Sequence, residues 1–245
     1  MNSALTGAVF TGRVLALLLV LLAAGCTQPS GENGGQFRVT QLDYQEQEAG
    51  VQPYPLRIMV NARFLRFDDG FAASDFMLMD RDTQTIYSVS HEDQSILVLS
   101  GYPAADTLPA GIELSEEHET DAAAPEIAGK QPVYIRFLAN GTVCYHAIVV
   151  PGLLQQASAA LAEYATLLGN RQYSDMASVP AEMLSPCFLS RHVYTPARHL
   201  LGGLPVSEWD ETGYRRTLVD YRESTLVDAD LFELPEDYER FRPGE

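Results

Sequence analysis

The three cysteines are the residues whose positions point most directly to covalent chemistry. Cys26 follows an apolar run, residues 14–24, whereas Cys144 and Cys187 lie far from that run and from each other. A thiol can be acylated, can pair in a disulfide, or can bind a metal as a thiolate. The sequence around each cysteine indicates which of these reactions to expect.

The segment before Cys26 has the features of a secretory signal. Arg13 is its only charged residue, and the apolar run behind Arg13 is shorter than the roughly 20 residues that cross a hydrocarbon core. A positive start, a short apolar centre and an end in small residues characterise such signals. The sequence therefore predicts that residues 1–25 are a signal peptide that is cleaved on export.

The end of this signal, residues 22–26 with the sequence LAAGC, resembles the lipobox of bacterial lipoprotein precursors. The resemblance implies that Cys26 receives a diacylglyceryl group and becomes the first residue of the mature chain. Residues 26–36 would then form a lipidated, flexible tether rich in Gly, Pro and Ser. Thr27 in place of Asp implies the outer membrane, facing the periplasm. The alternative is an incidental cysteine after an ordinary signal or a short membrane anchor.

Cys144 and Cys187 would lie, after export, in an oxidising compartment where disulfides persist. A bridge between them would close a loop of about 44 residues and stabilise the fold by on the order of 4 kcal/mol. An even number of cysteines in an exported chain favours pairing, so we predict this disulfide. The alternative is a pair of buried, unpaired thiols, because spacing alone does not give the distance between them.

The charge of the chain limits its partners. The formal net charge is −17, and it becomes −18 when Arg13 is removed with the signal. No basic patch is available to neutralise phosphates, which argues against nucleic acid as a partner. Adhesion to anionic lipid by charge is disfavoured for the same reason. Membrane attachment is therefore expected through the lipid on Cys26, and no cofactor is predicted.

The remaining chemistry-bearing residues form no recognisable motif. The sequence has no Gly-x-Ser-x-Gly, no phosphate-binding glycine loop and no His-Glu-x-x-His. Residues 91–93, His-Glu-Asp, lie in a predicted turn, where such residues are common for conformational reasons. His146 is predicted as a strand-face residue, and Trp209, the only tryptophan, offers no aromatic platform. His192 and His199 lie on either side of Pro196, which breaks the helix that could have aligned them. We predict no catalytic or metal-binding residue, although an enzyme stays an alternative because triads are assembled in space.

Strand patterns dominate from residue 37 to residue 150. The clearest is a hairpin of residues 133–138 and 142–149 around Asn140-Gly141, the strongest short hairpin signal. Apolar and polar residues alternate over residues 56–64, and a turn follows at Asp68-Asp69-Gly70. Shorter strands are predicted at 76–79, 85–89 and 95–99. Residues 106–126 carry seven acidic residues without Lys or Arg, which is typical of a solvated, mobile loop.

The second half of the chain combines one helix with a late strand. Apolar residues recur at helical spacing over 153–168, and Gly169-Asn170 is expected to end that helix. An irregular, partly helical stretch, broken by prolines, follows over 171–210, and a strand is predicted at 214–221. The fold class is therefore α+β: an antiparallel β-meander packed against a helix, in one domain of residues 37–245.

The hairpin series and the closing residues 231–235, LFELP, with Tyr238 are similar to uncharacterised exported proteins. The pattern also resembles the half-barrel folds of lipoprotein carriers and lipid-handling lipoproteins. In those folds a curved antiparallel sheet wraps around helices. The resemblance implies a curved half-barrel here, and no functional residue is carried over from it.

The apolar strands suggest a function. Residues 76–79 and 96–99 are apolar on both faces, so each face must be covered. One hypothesis is a non-catalytic, membrane-anchored module that binds an apolar ligand such as lipid inside the sheet. The plain alternative is a dry core in which residues 171–210 cover the second face. Another alternative is an assembly lipoprotein that binds an envelope protein through a sheet edge or the acidic loop.

Overall fold

A computed structural model describes residues 35–71, 73–105 and 107–243. The predicted signal peptide and Cys26 lie outside these residues. Within them, no helix is both long and apolar enough to span a bilayer. The strands are β1 (Gln36–Gln47), β2 (Tyr54–Val60), β3 (Phe64–Asp68), β4 (Phe76–Asp80), β5 (Thr85–Ser90), β6 (Ser95–Leu99), β7 (Leu114–Glu119), β8 (Val133–Ala139), β9 (Thr142–Val150), β10 (Leu204–Trp209), β11 (Arg215–Asp228) and β12 (Glu239–Phe241).

All of the described strands belong to one 12-stranded sheet of order β12-β6-β5-β4-β3-β2-β1-β11-β10-β9-β8-β7. Two antiparallel meanders, β1–β6 and β7–β11, are joined where the long strand β11 pairs with β1. Strand β12 adds to β6 in parallel, which makes the sheet mixed. Together with the helix described next, this confirms the α+β class, and the sheet is open, with β12 and β7 at its edges.

Helix α1 (Gln155–Asp175) extends past the end predicted at Gly169. A Cβ on Gly169 would lie 2.6 Å from Cγ of Pro196 and 3.0 Å from the carbonyl oxygen of Val193. Gly169 is therefore a point of close approach inside the helix and not its C-cap. The prediction was wrong because a glycine needed for packing has the same sequence appearance as a terminator.

The stretch predicted as irregular and partly helical contains short helical turns, as expected, and also a strand that was not predicted. It comprises 3-10 helices Met176–Ser178, Ala181–Met183 and Arg198–Leu200, helix α2 (Pro186–Phe188), a π-helix Leu189–Tyr194 and strand β10. We call residues 176–203 the cover segment. The sequence did not predict β10, because its alternation is short and contains Pro205 and Glu208.

Two further differences concern turns and edges. The alternation over 56–64 does not form one strand, because the Asn61 side chain accepts hydrogen bonds from the backbone of Arg63 and Phe64 and reverses the chain. The acidic stretch is not wholly a loop, since Leu114–Glu119 forms β7 against β8. Pairing with β8 satisfies the backbone hydrogen-bonding groups on one side of β7, while the acidic side chains of β7 stay in solvent.

Strands β1–β6 are covered on both faces. On one face, Leu42, Ile58 and Leu65 pack with Leu161 of α1 and with Leu200 of the cover segment. On the other, Val39, Met59, Leu78 and Val98 pack around Phe232. Residues 229–238, here called the C-terminal segment, therefore cover the second face. The alternative in which 171–210 does so is wrong, since that stretch lies on the same face as α1.

Candidate functional site

A cavity of about 360 Å³ lies between α1 and the sheet. Its apolar lining comes mainly from β3 and α1, and its charged and hydroxyl lining comes from the end of α1, from β9, β10 and β11, and from the cover segment. The apolar lining includes Phe67, Leu161, Ala165 and Leu168, and the polar lining includes Tyr145, Arg171, Arg191, His199, Glu208, Tyr214 and Arg216.

Strand alternation places the central charge pair. Side chains of successive strand residues point to opposite faces, so Val206 and Glu208 share the cavity face of β10. Glu208 is the register partner of Arg216 on β11, which brings their side chains together on that face. Glu208 has an exposure of 0%. A charged side chain is thus built into an interior strand position.

Basic side chains stabilise the ionised Glu208 carboxylate. Arg216 Nη2 pairs with Glu208 Oε1, and His199 Nε2 lies 3.6 Å from Oε2. Burial alone would raise the pKa of Glu208, but the charges of Arg216 and His199, with hydrogen bonds from Tyr145 and Arg216, hold that pKa below its usual value. Glu208 in turn raises the pKa of Arg216 against the effect of burial. Both groups are therefore charged inside the fold.

The hydrogen bonding of this pair is incomplete. Glu208 Oε1 is paired with Arg216, and hydrogen bonds from Tyr145 and Arg216 help to lower the pKa of Glu208. Nε of Arg216 donates no hydrogen bond. Buried polar atoms normally find partners, and each exception needs an explanation. Nε of Arg216 is such an exception, and both residues of the pair line the cavity.

Three tyrosines surround the pair and supply neutral hydroxyl groups and rings. Burial raises the pKa of Tyr44, Tyr145 and Tyr214. The Tyr44 hydroxyl donates to the carbonyl of Pro205 at 2.8 Å, and the Arg216 guanidinium lies 5.1 Å from the Tyr44 ring centroid. These contacts stabilise the buried cation through a ring face and provide no phenolate.

The cover segment closes the polar side of the cavity. Arg191 pairs with Asp210, and its guanidinium lies 3.9 Å from the Tyr145 ring centroid. The ring of His199 meets the ring of Tyr145 edge to face at 5.4 Å. Arg191 and His199 are therefore positioned by the same tyrosine on β9.

Cys144 and Cys187 form the disulfide that the sequence predicts. Cys144 lies on β9 and Cys187 in α2, and their Cα atoms are 5.1 Å apart. The bridge ties the cover segment to the strand that carries Tyr145. It therefore fixes the segment that supplies Arg191 and His199 relative to the sheet.

A second, larger groove of about 780 Å³ runs along the other side of α1. It is lined mainly by small and apolar residues, among them Leu153, Ala159 and Leu201, and Leu201 is 80% exposed. Glu163 is the charged residue of its lining, and Arg81 neutralises it at 2.7 Å. This groove offers apolar surface without a buried charge.

Of the residues weighed from the sequence, His91, His146 and Trp209 do not line the cavity, whereas His192 and His199 do. His91 Nδ1 bonds the Tyr238 hydroxyl at 2.8 Å, which ties the β5–β6 turn to the C-terminal segment. Across the described ranges, no three His, Cys, Asp or Glu side chains are placed to hold a metal ion. Sequence reasoning missed Glu208 and Arg216. The available signal was a charged residue in phase with the apolar Val206 of the same strand.

Comparison with known proteins finds similarity in structure, at low sequence identity, and none in sequence. No protein-family model matches the chain, and no curated protein matches it. An uncharacterised conserved protein from Thermus thermophilus aligns at 10% identity over 83% of this chain and 90% of its own, with a TM-score of 0.41. PNGF-II aligns at 10% identity over 84% of this chain, with a TM-score of 0.40. This chain spans 31% of the PNGF-II chain.

Proposed function

We propose that this chain is a lipid-anchored binding protein of the bacterial envelope, attached through Cys26 and facing the periplasm from the outer membrane. Its domain binds an amphipathic, lipid-like ligand between α1 and the sheet. The observation that carries this proposal is the cavity lined both by apolar side chains of β3 and α1 and by the buried Glu208–Arg216 charge pair. Its volume of about 360 Å³ falls in the range of small-molecule sites.

The charge pair indicates the head group of the ligand. Glu208 is ionised, so it accepts hydrogen bonds and cannot donate them. A hydroxyl or amide head group would donate to Glu208, whereas an ionised fatty acid would bring a second carboxylate against it. The tail would contact the apolar lining residues Phe67, Leu161 and Leu168. A monoacylglycerol has this combination of hydroxyls and one acyl chain.

Competition binding tests this ligand class. Displacement of a bound fluorescent acyl probe by monoacylglycerol is expected to be saturable, and the matching fatty acid at neutral pH is expected to compete less well. Ala165→Leu fills the cavity from α1 and should weaken binding about tenfold or more, since it removes the space for the ligand. Ala159→Leu makes the same change on the groove side of the helix and is the matched control. Equal affinities in these two variants would reject the cavity as the site.

Mass measurement tests the anchor. The protein of the membrane fraction should lack residues 1–25 and carry added acyl mass on Cys26. Cys26→Ala should release the protein from that fraction. A soluble, unacylated wild-type product would overturn the anchor while leaving ligand binding to be decided by the competition assay.

A second candidate is an assembly lipoprotein. Its support is the open edge of β7, which pairs with β8 on one side. A photo-crosslinking residue at Glu119 on β7 should then capture a stoichiometric envelope protein, while one at the exposed Val219 on β11 should not. Equal labelling at both positions would argue against binding through this edge.

A further inference from the structure

Three aromatic rings lie parallel on the face of the sheet opposite the cavity. Trp209 is the neighbour of Glu208 on β10, so its side chain points to the other face. Its ring is parallel to His146 within 4° and to Tyr134 within 6°, at centroid distances of 5.0 and 5.8 Å. The angle between the planes of the Tyr134 and His146 rings is 3°. The prediction that Trp209 stands alone was wrong, since its ring partners lie on β8 and β9. We call these three residues the aromatic platform.

A hydrogen-bond chain fixes the platform. The Glu211 carboxylate lies 3.2 Å from His146 Nε2 and can only accept, so Nε2 carries the proton. In the neutral ring, Nδ1 is then free to accept from the Tyr134 hydroxyl at 2.7 Å. The network fixes the buried His146 beside Tyr134 and Trp209, which are both partly exposed. Supporting hydrogen bonds of this kind preorganise a binding surface.

A cation lies at the edge of the platform. The Arg215 guanidinium is 5.7 Å from the Trp209 ring centroid, and Arg215 is the register partner of Trp209. Within the part of the chain that the structure describes, Arg215 forms no ion pair, whereas Arg136 beside Tyr134 pairs with Glu117 at 2.8 Å. An exposed cation without a carboxylate partner is notable in a chain of net charge −17. It complements an anionic group on a ligand that covers Trp209.

We propose that the aromatic platform binds an acidic saccharide. The C–H face of the sugar ring stacks on Trp209 and Tyr134, the sugar carboxylate meets Arg215, and a sugar hydroxyl donates to Glu211. Flat rings flanked by a cation and a carboxylate match a ligand that is apolar on its faces and polar around its rim. Nucleic acid also stacks on aromatic rings, but the acidity of this chain opposes a polyphosphate backbone.

Intrinsic fluorescence gives a direct test, because Trp209 is the only tryptophan of the chain. Titration with N-acetylmuramic acid should produce a saturable change in Trp209 emission. N-acetylglucosamine, which lacks the lactyl carboxylate, should bind about tenfold more weakly, as expected for loss of one charge-assisted contact. Arg215→Gln should remove this discrimination. Arg240→Gln on β12, at the opposite part of the sheet, is the matched control and should retain it.

Two results would overturn the proposal. One is the absence of any saturable response in folded protein, checked by saturation-transfer NMR on the sugar protons. The other is an Arg215→Gln variant that discriminates the two sugars as well as Arg240→Gln does. Monoacylglycerol binding in the cavity should be unaffected by Arg215→Gln, so a failure here is separate from a failure of the proposed function.

Discussion

Glu208 and Arg216 are register partners on adjacent strands, and their ion pair is buried on the cavity face of the sheet. Removing one member of such a pair leaves the other as an uncompensated buried charge, which costs about 3–5 kcal/mol. We expect Glu208→Gln to lower the free energy of unfolding by this amount in urea titration. The double variant Glu208→Gln/Arg216→Met should recover a large part of the loss.

The exposed cross-strand pair of Asp43 and Arg222 is the matched control, because Arg222 is 54% exposed. Asp43→Asn should change the free energy of unfolding by less than about 1 kcal/mol, since solvent screens the pair. If the Glu208→Gln and Asp43→Asn losses were equal, the buried pair would not be a charged pair in the folded protein.

The stability of the domain should fall in mild acid. Burial lowers the pKa of His199 below 6.5, against the opposing effect of Glu208. The unfolded chain therefore takes up a proton, as pH falls through about 6.5, that the folded chain does not bind. Glu208, whose pKa lies below 4.5, adds a further loss when pH falls below that value.

The measurement is the free energy of unfolding at several pH values between about 7 and 5. His199→Gln should reduce the slope by at most about 1.4 kcal/mol per pH unit, the limit for one proton. A variant with the slope of the wild type would show that His199 is protonated equally in the folded and unfolded states.

Gly169 should resist substitution although it lies in a helix. Alanine normally favours a helix over glycine by about 1 kcal/mol, but a Cβ here would lie 2.6 Å from Pro196 Cγ. We expect Gly169→Ala to destabilise the domain by about 1–3 kcal/mol in thermal or urea unfolding, through overpacking. Pro196→Ala in the same chain should restore part of the loss. A stabilising Gly169→Ala would contradict the close approach of the cover segment to α1.

The C-terminal segment should contribute strongly to stability through Phe232. This ring is 4% exposed and stacks on Phe64 at 5.5 Å. Phe232→Ala is expected to cost about 3–5 kcal/mol, because it opens a cavity on the second face of β1–β6. Phe241→Ala on β12, where the side chain is 46% exposed, should cost less than about 1 kcal/mol. Similar losses in both variants would argue against a packed second face.

Local patterns predicted the elements that depend on neighbouring residues. The hairpin of β8 and β9 formed around Asn140-Gly141, where Asn140 and Gly141 adopt the positive φ that such a turn requires. The runs at residues 76–79 and 95–99 became β4 and β6, covered on both faces as their composition demands. At Asn61 and at Gly169 the local pattern fitted both continuation and termination of the element. The predicted end of the strand and the predicted end of the helix were therefore wrong.

The candidate sites depended on residues far apart in sequence. Glu208, Arg216 and His199 come together because β10 pairs with β11 and because the disulfide holds the cover segment against β9. Trp209 meets His146 and Tyr134 because β10 pairs with β9 and β9 with β8. A single tryptophan or a single glutamate in a sequence carries no information about such partners.

The sequence by itself determined the α+β class and most strand segments, because hydrophobic periodicity and turn residues act locally. The number of cysteines favoured a Cys144–Cys187 disulfide, and the 5.1 Å between their Cα atoms in the folded chain decided it. The sequence also predicted lipidation at Cys26, which lies outside the described residues. The tertiary structure decided which segment covers each face of β1–β6 and which charges are buried. Those outcomes depend on strand order and register, since a side chain's face is set by its own strand but its neighbours are set by the strands that pair with it.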